Sequence, residues 1–245
     1  MDRIKIIRDL VIGDGSLFTP ISQNAGSCIG ISHADVQYEW IFWKKKKLDD
    51  LGIKLRFYQD KTPNKQGRRA WRIRTTVNQE FKRLWEDWYY IKNGISEKSY
   101  IKMLNAAPVD EDTLAILFLD NGSRQLKSTY KDFNNGKKYK IEPYMDKFRL
   151  SVGKREQAPI VAMLASFEID SRKNREFTGE GEVTIGTNKG KQILKYILDE
   201  FCTKNRIDVF KYKYDFPISM SQVKRLSEMD CQKAICDSLN TTNNQ

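Results

Sequence analysis

Two apolar stretches of the chain each end on a short acidic turn closed by glycine. The first is Ile7-Arg8-Asp9-Leu10-Val11-Ile12-Gly13-Asp14-Gly15, and the second is Leu114-Ala115-Ile116-Leu117-Phe118-Leu119-Asp120-Asn121-Gly122. In both, a helix of buried type stops at a glycine, and Ser16 or Ser123 follows before strand-like sequence begins. Glycine-capped amphipathic helices are common and can be purely structural. A lone aspartate at a rigid helix end also suits a hard divalent cation such as magnesium, which prefers carboxylate, water and phosphate oxygens. The remaining inventory narrows the chemistry. His33 is the single histidine, and Cys28, Cys202, Cys231 and Cys236 form no Cys-x-x-Cys pair. That excludes a zinc finger and nuclease chemistry of the histidine–metal type. If this chain cuts phosphodiesters, carboxylates and metal must do it. Reduced, intracellular thiols are expected.

The charge balance points to a polyanion. Lys+Arg number 43 against 32 Asp+Glu, a net charge of +11, and nucleic acid is the usual partner of such an excess. In Ile53-Lys54-Leu55-Arg56-Phe57-Tyr58 apolar residues alternate with basic or polar ones. Ile53, Leu55 and Phe57 then face a core, while Lys54, Arg56 and Tyr58 face out. Trp71-Arg72-Ile73-Arg74-Thr75 repeats the pattern and puts Arg72 and Arg74 on one face. The loop between them carries Lys61, Lys65, Arg68 and Arg69. A β-ribbon fits the DNA major groove, where arginine can bind a guanine edge bidentately. Lys138, Lys140, Lys147 and Arg149 lie on later strand-like sequence, and Arg172, Lys173 and Arg175 occupy a hairpin as Arg68 and Arg69 do. The run from Lys44 to Lys47 reads as the exposed side of a helix, with phosphate contact as the alternative.

The elements that must position these groups recur in order. Residues 3–14 read as a helix with Ile4, Ile7, Leu10 and Val11 at helical spacing, and Gly13 offers a surface for close approach of a second helix. Strands follow at 16–20 and 28–33, a helix at 35–50 with Trp40, Trp43 and Leu51 as core, the two alternating strands, and an aromatic helix at 78–92. Residues 93–111 read as a connector that ends in the Asp110-Glu111-Asp112 cap of the next helix. After Gly122 the pattern restarts, with strands near 123–130 and 138–152 around Asn134-Asn135-Gly136. A helix at 155–167, strands near 170–176 and 182–187, and a helix at 188–203 complete it. The order α-β-β-α-β-β-α thus occurs twice. Asp14 and Asn121, like Asn78 and Asn188, stand roughly 110 residues apart, too long a period for a solenoid, so the chain reads as a pseudo-dimer. The expected division is a first half at 1–95, a linker at 96–111, a second half at 112–205 and an extension at 206–245. That extension carries strand-like Val209-Phe210-Lys211-Tyr212, a helix near 219–239 and a polar tail. Apolar residues make up 40% of the chain, no run of about 18 of them could span a membrane, and the N-terminus has no signal-peptide core.

The doubled motif, its separation and the intervening elements resemble the LAGLIDADG homing endonucleases, the single-chain kind with two motifs, over residues 3–215. The resemblance implies an α+β fold of two pseudo-symmetric αββαββα halves whose antiparallel sheets form a DNA-binding saddle. It implies that the motif helices cross at the pseudo-twofold axis through Gly13, Gly15 and Gly122. The acid before each closing glycine would then face the scissile phosphates. Asp14 matches that position; the second motif has Asn121 there. Asp120 matches Gly13 and lies about 100° away on a helix, so it is not expected to take over the role. The metal set implied is Asp14 and Asn121, with Gly13 and Asp120 beside them, holding Mg2+ or another divalent cation such as Mn2+ or Ca2+. One basic residue per half is also implied: Lys98, and Lys213 with Lys211 as its rival. Either would polarise the attacking water or neutralise the leaving phosphate.

The activity this implies is Mg2+-dependent cleavage at one duplex site of roughly 20 base pairs, bound in a salt-sensitive way because phosphates are neutralised. Asn121 implies impaired double-strand cleavage. A monomer with no membrane association is expected, inside a microbial or phage-infected cell or in an organelle matrix. An RNA-binding intron splicing maturase, or a DNA-binding regulator that does not cut, is the rival reading that Asn121 favours. The arginine hairpins favour DNA, because the A-form RNA major groove is too narrow to read in this way. A basic structural or ribosome-associated protein would explain the charge but not the doubled motif.

Overall fold

The computed structural model describes residues 2–19, 26–63, 67–127, 130–132, 138–140, 143–153, 156–175 and 180–218. The first motif forms α1 (Arg3–Ile12), begun by the Asp2 side chain, which accepts the N–H groups of Ile4 and Lys5. The hairpin β1 (Ser16–Phe18) and β2 (Cys28–Ala34), the helix α2 (Tyr38–Asp50), the strands β3 (Leu55–Gln59) and β4 (Ala70–Thr75), and α3 (Gln79–Trp88) follow. The second motif forms α5 (Glu111–Asn121), opened by a capping box between Asp110 and Thr113. After it come β7 (Gly122–Lys127), a small hairpin of β8 (Tyr130–Asp132) and β9 (Lys138–Lys140), and β10 (Tyr144–Gly153). α6 (Gln157–Ser166), β11 (Arg172–Arg175), β12 (Glu180–Ile185) and α7 (Asn188–Asn205) complete that half.

The two four-stranded sheets share one topology. The first runs β1-β2-β4-β3 and the second β7-β10-β12-β11, with every pairing antiparallel. Each therefore repeats a single αββαββα plan, and the β8–β9 hairpin is an addition to the second copy. Period-two alternation gives each sheet one apolar face. Leu17, Ile29, Ile31 and Ile73 line it in the first sheet; Phe148, Leu150, Val183 and Ile185 line it in the second. The motif helices are buried along much of their length, over Ile7–Ile12 and Thr113–Leu119, and sit in one continuous core shared by both sheets. Among the described residues no helix is long and apolar enough to cross a membrane.

Three local expectations change. The 78–92 helix stops at Trp88, and Tyr89–Lys92 is strand β5, paired with β6 (Ile95–Lys98). Asn93 and Gly94 both take positive φ, 51° and 76°, which is what a two-residue hairpin turn with the right twist requires. The 93–111 connector thus holds a hairpin strand and a further helix, α4 (Tyr100–Asn105). Residues 209–212 are not a strand: Lys211–Tyr214 form the short helix α8, and Phe210 packs edge-on against Trp40. Lastly, the lysine run is not uniformly exposed. Lys44 is fully buried, on the same stripe of α2 as Trp40, Ile41 and Leu48. The loop at 134–136, the helix near 219–239, Cys231 and Cys236 lie outside the described residues, while Cys28 and Cys202 are buried free thiols.

Candidate nuclease centre and nucleic-acid interface

The two motif helices are locked together from their N-terminal ends. Arg8 of α1 is fully buried, and its guanidinium donates to Ala107 O at 2.6 Å, Pro108 O at 2.9 Å and Thr113 Oγ1 at 2.9 Å, while pairing with Asp9. Lys5 bridges Asp9 and the Asp110 cap of α5 at 2.8 and 3.1 Å. A buried arginine with its donors met in this way is tolerable because few N–H groups are left without an acceptor. These bonds set the register at which the other ends of the helices meet.

At those ends Asp14 and Asp120 come together. Asp120 Oδ2 accepts the backbone N–H of Asp14 at 2.9 Å. Both oxygens also take Lys44 Nζ, at 2.8 and 2.7 Å, and Oδ1 takes Trp40 Nε1 at 2.7 Å. The Asp120 side chain is fully buried, whereas that of Asp14 is 44% exposed. Gly13 is obligatory for this contact, since a Cβ there would occupy the space of the Asp120 carboxylate. Gly15 and Gly122 have a different reason from the helix interface expected of them. A Cβ at either would collide with a carbonyl of its own helix, Leu10 or Phe118.

His33, on the core face of β2, stands between the two carboxylates, with Nδ1 3.6 Å from Asp14 and Nε2 3.8 Å from Asp120. Ligand atoms of Asp14, His33 and Asp120 all lie within 4.8 Å of one another. Burial, aided by the Lys44 charge, holds the imidazole down to about 3, so it is neutral at physiological pH. Burial pushes Asp14 up to about 6, and the Asp120 charge adds to this. Burial acts on Asp120 in the same direction, but Lys44 overcomes it and keeps that carboxyl below its usual range.

The two lysines named from sequence both reach this centre. Lys98, the last residue of β6, donates to Gly13 O. Lys213 of α8 donates to Leu119 O at 2.6 Å. Each thus binds a terminal carbonyl of one motif helix, and burial brings both down to about 8. The rival Lys211 is instead at the surface, paired with Asp208 at 2.9 Å. Asn121 is half-buried and turns its amide N–H to the Tyr100 hydroxyl at 3.1 Å.

The donor set fits one hard cation better than two. Asp14 presents an accessible carboxylate, and Asn121 has a neutral amide oxygen to offer. Asp120 would have to give up Lys44, Trp40 or the Asp14 N–H to bind a metal. Three lysines against two aspartates leave the centre net positive, which suits a phosphate.

Asp14 also lines a groove of about 230 Å3 that continues over the outer face of the first sheet, past Ser16, Phe18, Gly30, Ser32, Tyr58, Arg72 and Arg74. Register puts Ser16, Gly30, Arg74 and Arg56 in one row and Ser32, Arg72 and Tyr58 in the next. Arg74 lies over the Phe18 ring at 5.1 Å, and Arg72 pairs with Asp60. Lys54, Arg68 and Arg69 are exposed at the borders of this sheet. In the second sheet Ser123, Arg149, Thr184 and Arg172 form the matching row, with Lys147 beside them. Arg149 pairs there with the buried Glu182. Lys173 pairs in register with Val183, so it falls on the opposite face from Arg172; neighbours on a strand cannot share a face. Arg175 is opposite Gly181, and Lys138 and Lys140 lie on β9.

Sequence reasoning missed His33, Lys44, Trp40 and Arg8. Lys44 had a signal, because it falls on the apolar stripe of its helix. His33 had only its alternation with Ile29 and Ile31.

The sequence profile described as the LAGLIDADG DNA endonuclease family matches residues 4–175, and the chain belongs to that family. Its fold is similar to a solved structure of the homing endonuclease I-WcaI bound to its DNA recognition sequence. The TM-score is 0.60 at 18% identity, covering 88% of this chain and 87% of that one. It is also similar to the LAGLIDADG meganuclease I-AabMI bound to uncleaved DNA, with a TM-score of 0.51 at 11% identity, covering 96% and 92% of the two chains. No curated protein matches the sequence significantly.

Proposed function

We propose that this chain recognises a specific site of roughly 20 base pairs in duplex DNA, in a salt-dependent manner, and that its competent chemistry is metal-assisted phosphodiester hydrolysis at the paired helix ends. The observation that carries this reading is that Asp14 and the arginines Arg72 and Arg74 line one groove. A phosphate held near the carboxylate and bases held over the arginines then belong to a single bound duplex. The second sheet, with Lys147, Arg149 and Arg172 on its outer face, extends the contact to the other half-site. One chain contains both halves, so a monomer suffices.

Asp14 is the residue that would hold a divalent cation, Mg2+ or in its place Mn2+ or Ca2+, with Asn121 as a weak neutral counterpart. Such a cation would acidify a bound water and offset charge on the phosphate. Lys98 and Lys213 place positive charge at the two helix ends, and at about 8 each can release or accept a proton near neutral pH. The buried contacts of Asp120 hold the turn that aims Asp14.

Double-strand cleavage is impaired in this reading. Asn121 brings no charge, and Asp120, the carboxylate closest at hand, is committed to Lys44, Trp40 and the Asp14 N–H. The same arrangement favours a second reading, a DNA-binding protein that keeps the scaffold without cutting. Selection on a plasmid library in Mg2+ tests both. The chain as written should bind a site yet at most nick it, and Asn121→Asp should cut both strands. Efficient double-strand cutting by the chain as written would overturn the impairment, and no preference for any duplex would overturn the DNA reading itself.

A further inference from the structure

Of the arginines on the first sheet, Arg72 alone is held by a carboxylate among the described residues. Its Nε lies 2.7 Å from Asp60 Oδ1 and 2.9 Å from Oδ2. Asp60 is anchored in turn, because its backbone N–H donates to Ala70 O at 2.8 Å. The pair is partly open to solvent, with side chains 48% and 26% exposed. It sits in the middle of the outer face, on a central strand between Ser32 and Tyr58. Arg74 instead leans on an aromatic ring, and the partner of Arg149, Glu182, is buried.

We infer that Asp60 and Arg72 form a preset reader of guanine, in which Asp60 is a specificity-determining residue. This rests on the DNA-binding reading above. The guanidinium is a planar fork with five N–H donors. Asp60 engages Nε, so the end edge with its two Nη groups is left to meet a ligand. That edge matches the paired acceptors O6 and N7 of guanine in the major groove. Two consequences follow from the carboxylate. It fixes the rotamers of a long side chain before binding, which lowers the ordering cost of the contact. Its negative charge also repels phosphate oxygens, so Arg72 is discouraged from a sequence-independent backbone contact. Ser32 and Tyr58, its neighbours on β2 and β3, line the same groove as Arg72.

The test is a base-preference profile of the full chain on a randomised duplex library, together with its affinity for bulk non-specific duplex at the same salt. Arg72→Ala should flatten the preference for guanine at one position. Asp60→Ala and Asp60→Asn should weaken discrimination at that same position by about tenfold, within the range expected for one bidentate contact, while non-specific affinity stays level or rises. A merely structural role for Asp60 would lower specific and non-specific binding together, and that result overturns the inference. So does an unchanged guanine preference in Asp60→Ala, or a position that Arg72→Ala flattens but that prefers another base. If the unaltered chain shows no base preference at all, the DNA-recognition reading falls with it, which separates the two failures.

Discussion

Asp120 in α5 accepts the backbone N–H of Asp14, just beyond the end of α1, at 2.9 Å. This one bond joins the two motif helices at the candidate centre, and it makes the second acid a support for the first. The Asp120 carboxylate stays ionised while fully buried because Lys44 and Trp40 satisfy it.

Lys44→Ala leaves a buried carboxylate without its counter-charge and should cost about 3–5 kcal/mol in urea unfolding. Adding Asp120→Ala should recover a large part of that loss, as a double-mutant cycle would show. A loss below about 1 kcal/mol for Lys44→Ala would mean that water or a proton replaces the lysine.

Asp14 should behave in the opposite sense. Its carboxyl is raised from 3.8 to about 6 in the folded protein. A carboxyl raised on folding contributes stability that is complete below the unfolded value and is lost as pH rises through the folded one. Asp14→Asn removes this liability, so the variant should melt at a higher temperature than the unaltered chain at pH 8. The gap should narrow as pH falls from 6 to 4. An equal gap at all pH values would show that another effect of the amide is being measured.

Lys98 and Lys213 bear on binding. Burial holds both at about 8 in the DNA-free protein, so each loses its charge as pH rises through that value. Only the charged form attracts phosphate, and affinity for a duplex should therefore decline between pH 7 and pH 9. Titrated by fluorescence anisotropy, Lys98→Met with Lys213→Met should show a flatter dependence. A decline of the same size in the double variant would assign it to other groups.

The outer sheet faces set the salt response. Affinity should fall about 1,000-fold or more between 50 and 200 mM salt if six or more phosphates are neutralised. Arg56→Ala should weaken all duplexes alike and lower the slope by about one if this exposed residue contacts a phosphate. Arg74→Ala, on the same row, should change base preference instead. A flat salt dependence would leave no place for either sheet face against DNA.

Much of this was legible because local sequence dictated it. Both helices end at Gly-containing turns whose glycines are sterically required, and strand alternation put Ile73 inward and Arg72 and Arg74 outward. The repeat of the element order determined the paired topology, since each copy has to bury one face of its own sheet. Lys98 and Lys213 were named through the family resemblance, which implies one basic residue in each half.

Contacts between residues far apart in the chain were decided only by the tertiary structure. Asp120 was placed beside the metal set but not expected to take over the role of the acid before the glycine, because a single helix rotates successive side chains by about 100°. The geometry at the crossing is instead set by both helices. Arg8, reaching the segment before α5, fixes how they meet, and Gly13 opens the space into which Asp120 projects. Lys44 looked like one of four surface lysines because its partner carboxylate lies 76 positions away. His33 looked isolated for the same reason. Alternation and capping are local consequences of backbone geometry, and sequence carries them. The pairing of a buried charge depends on which distant side chain the fold brings to it, and no local pattern encodes that.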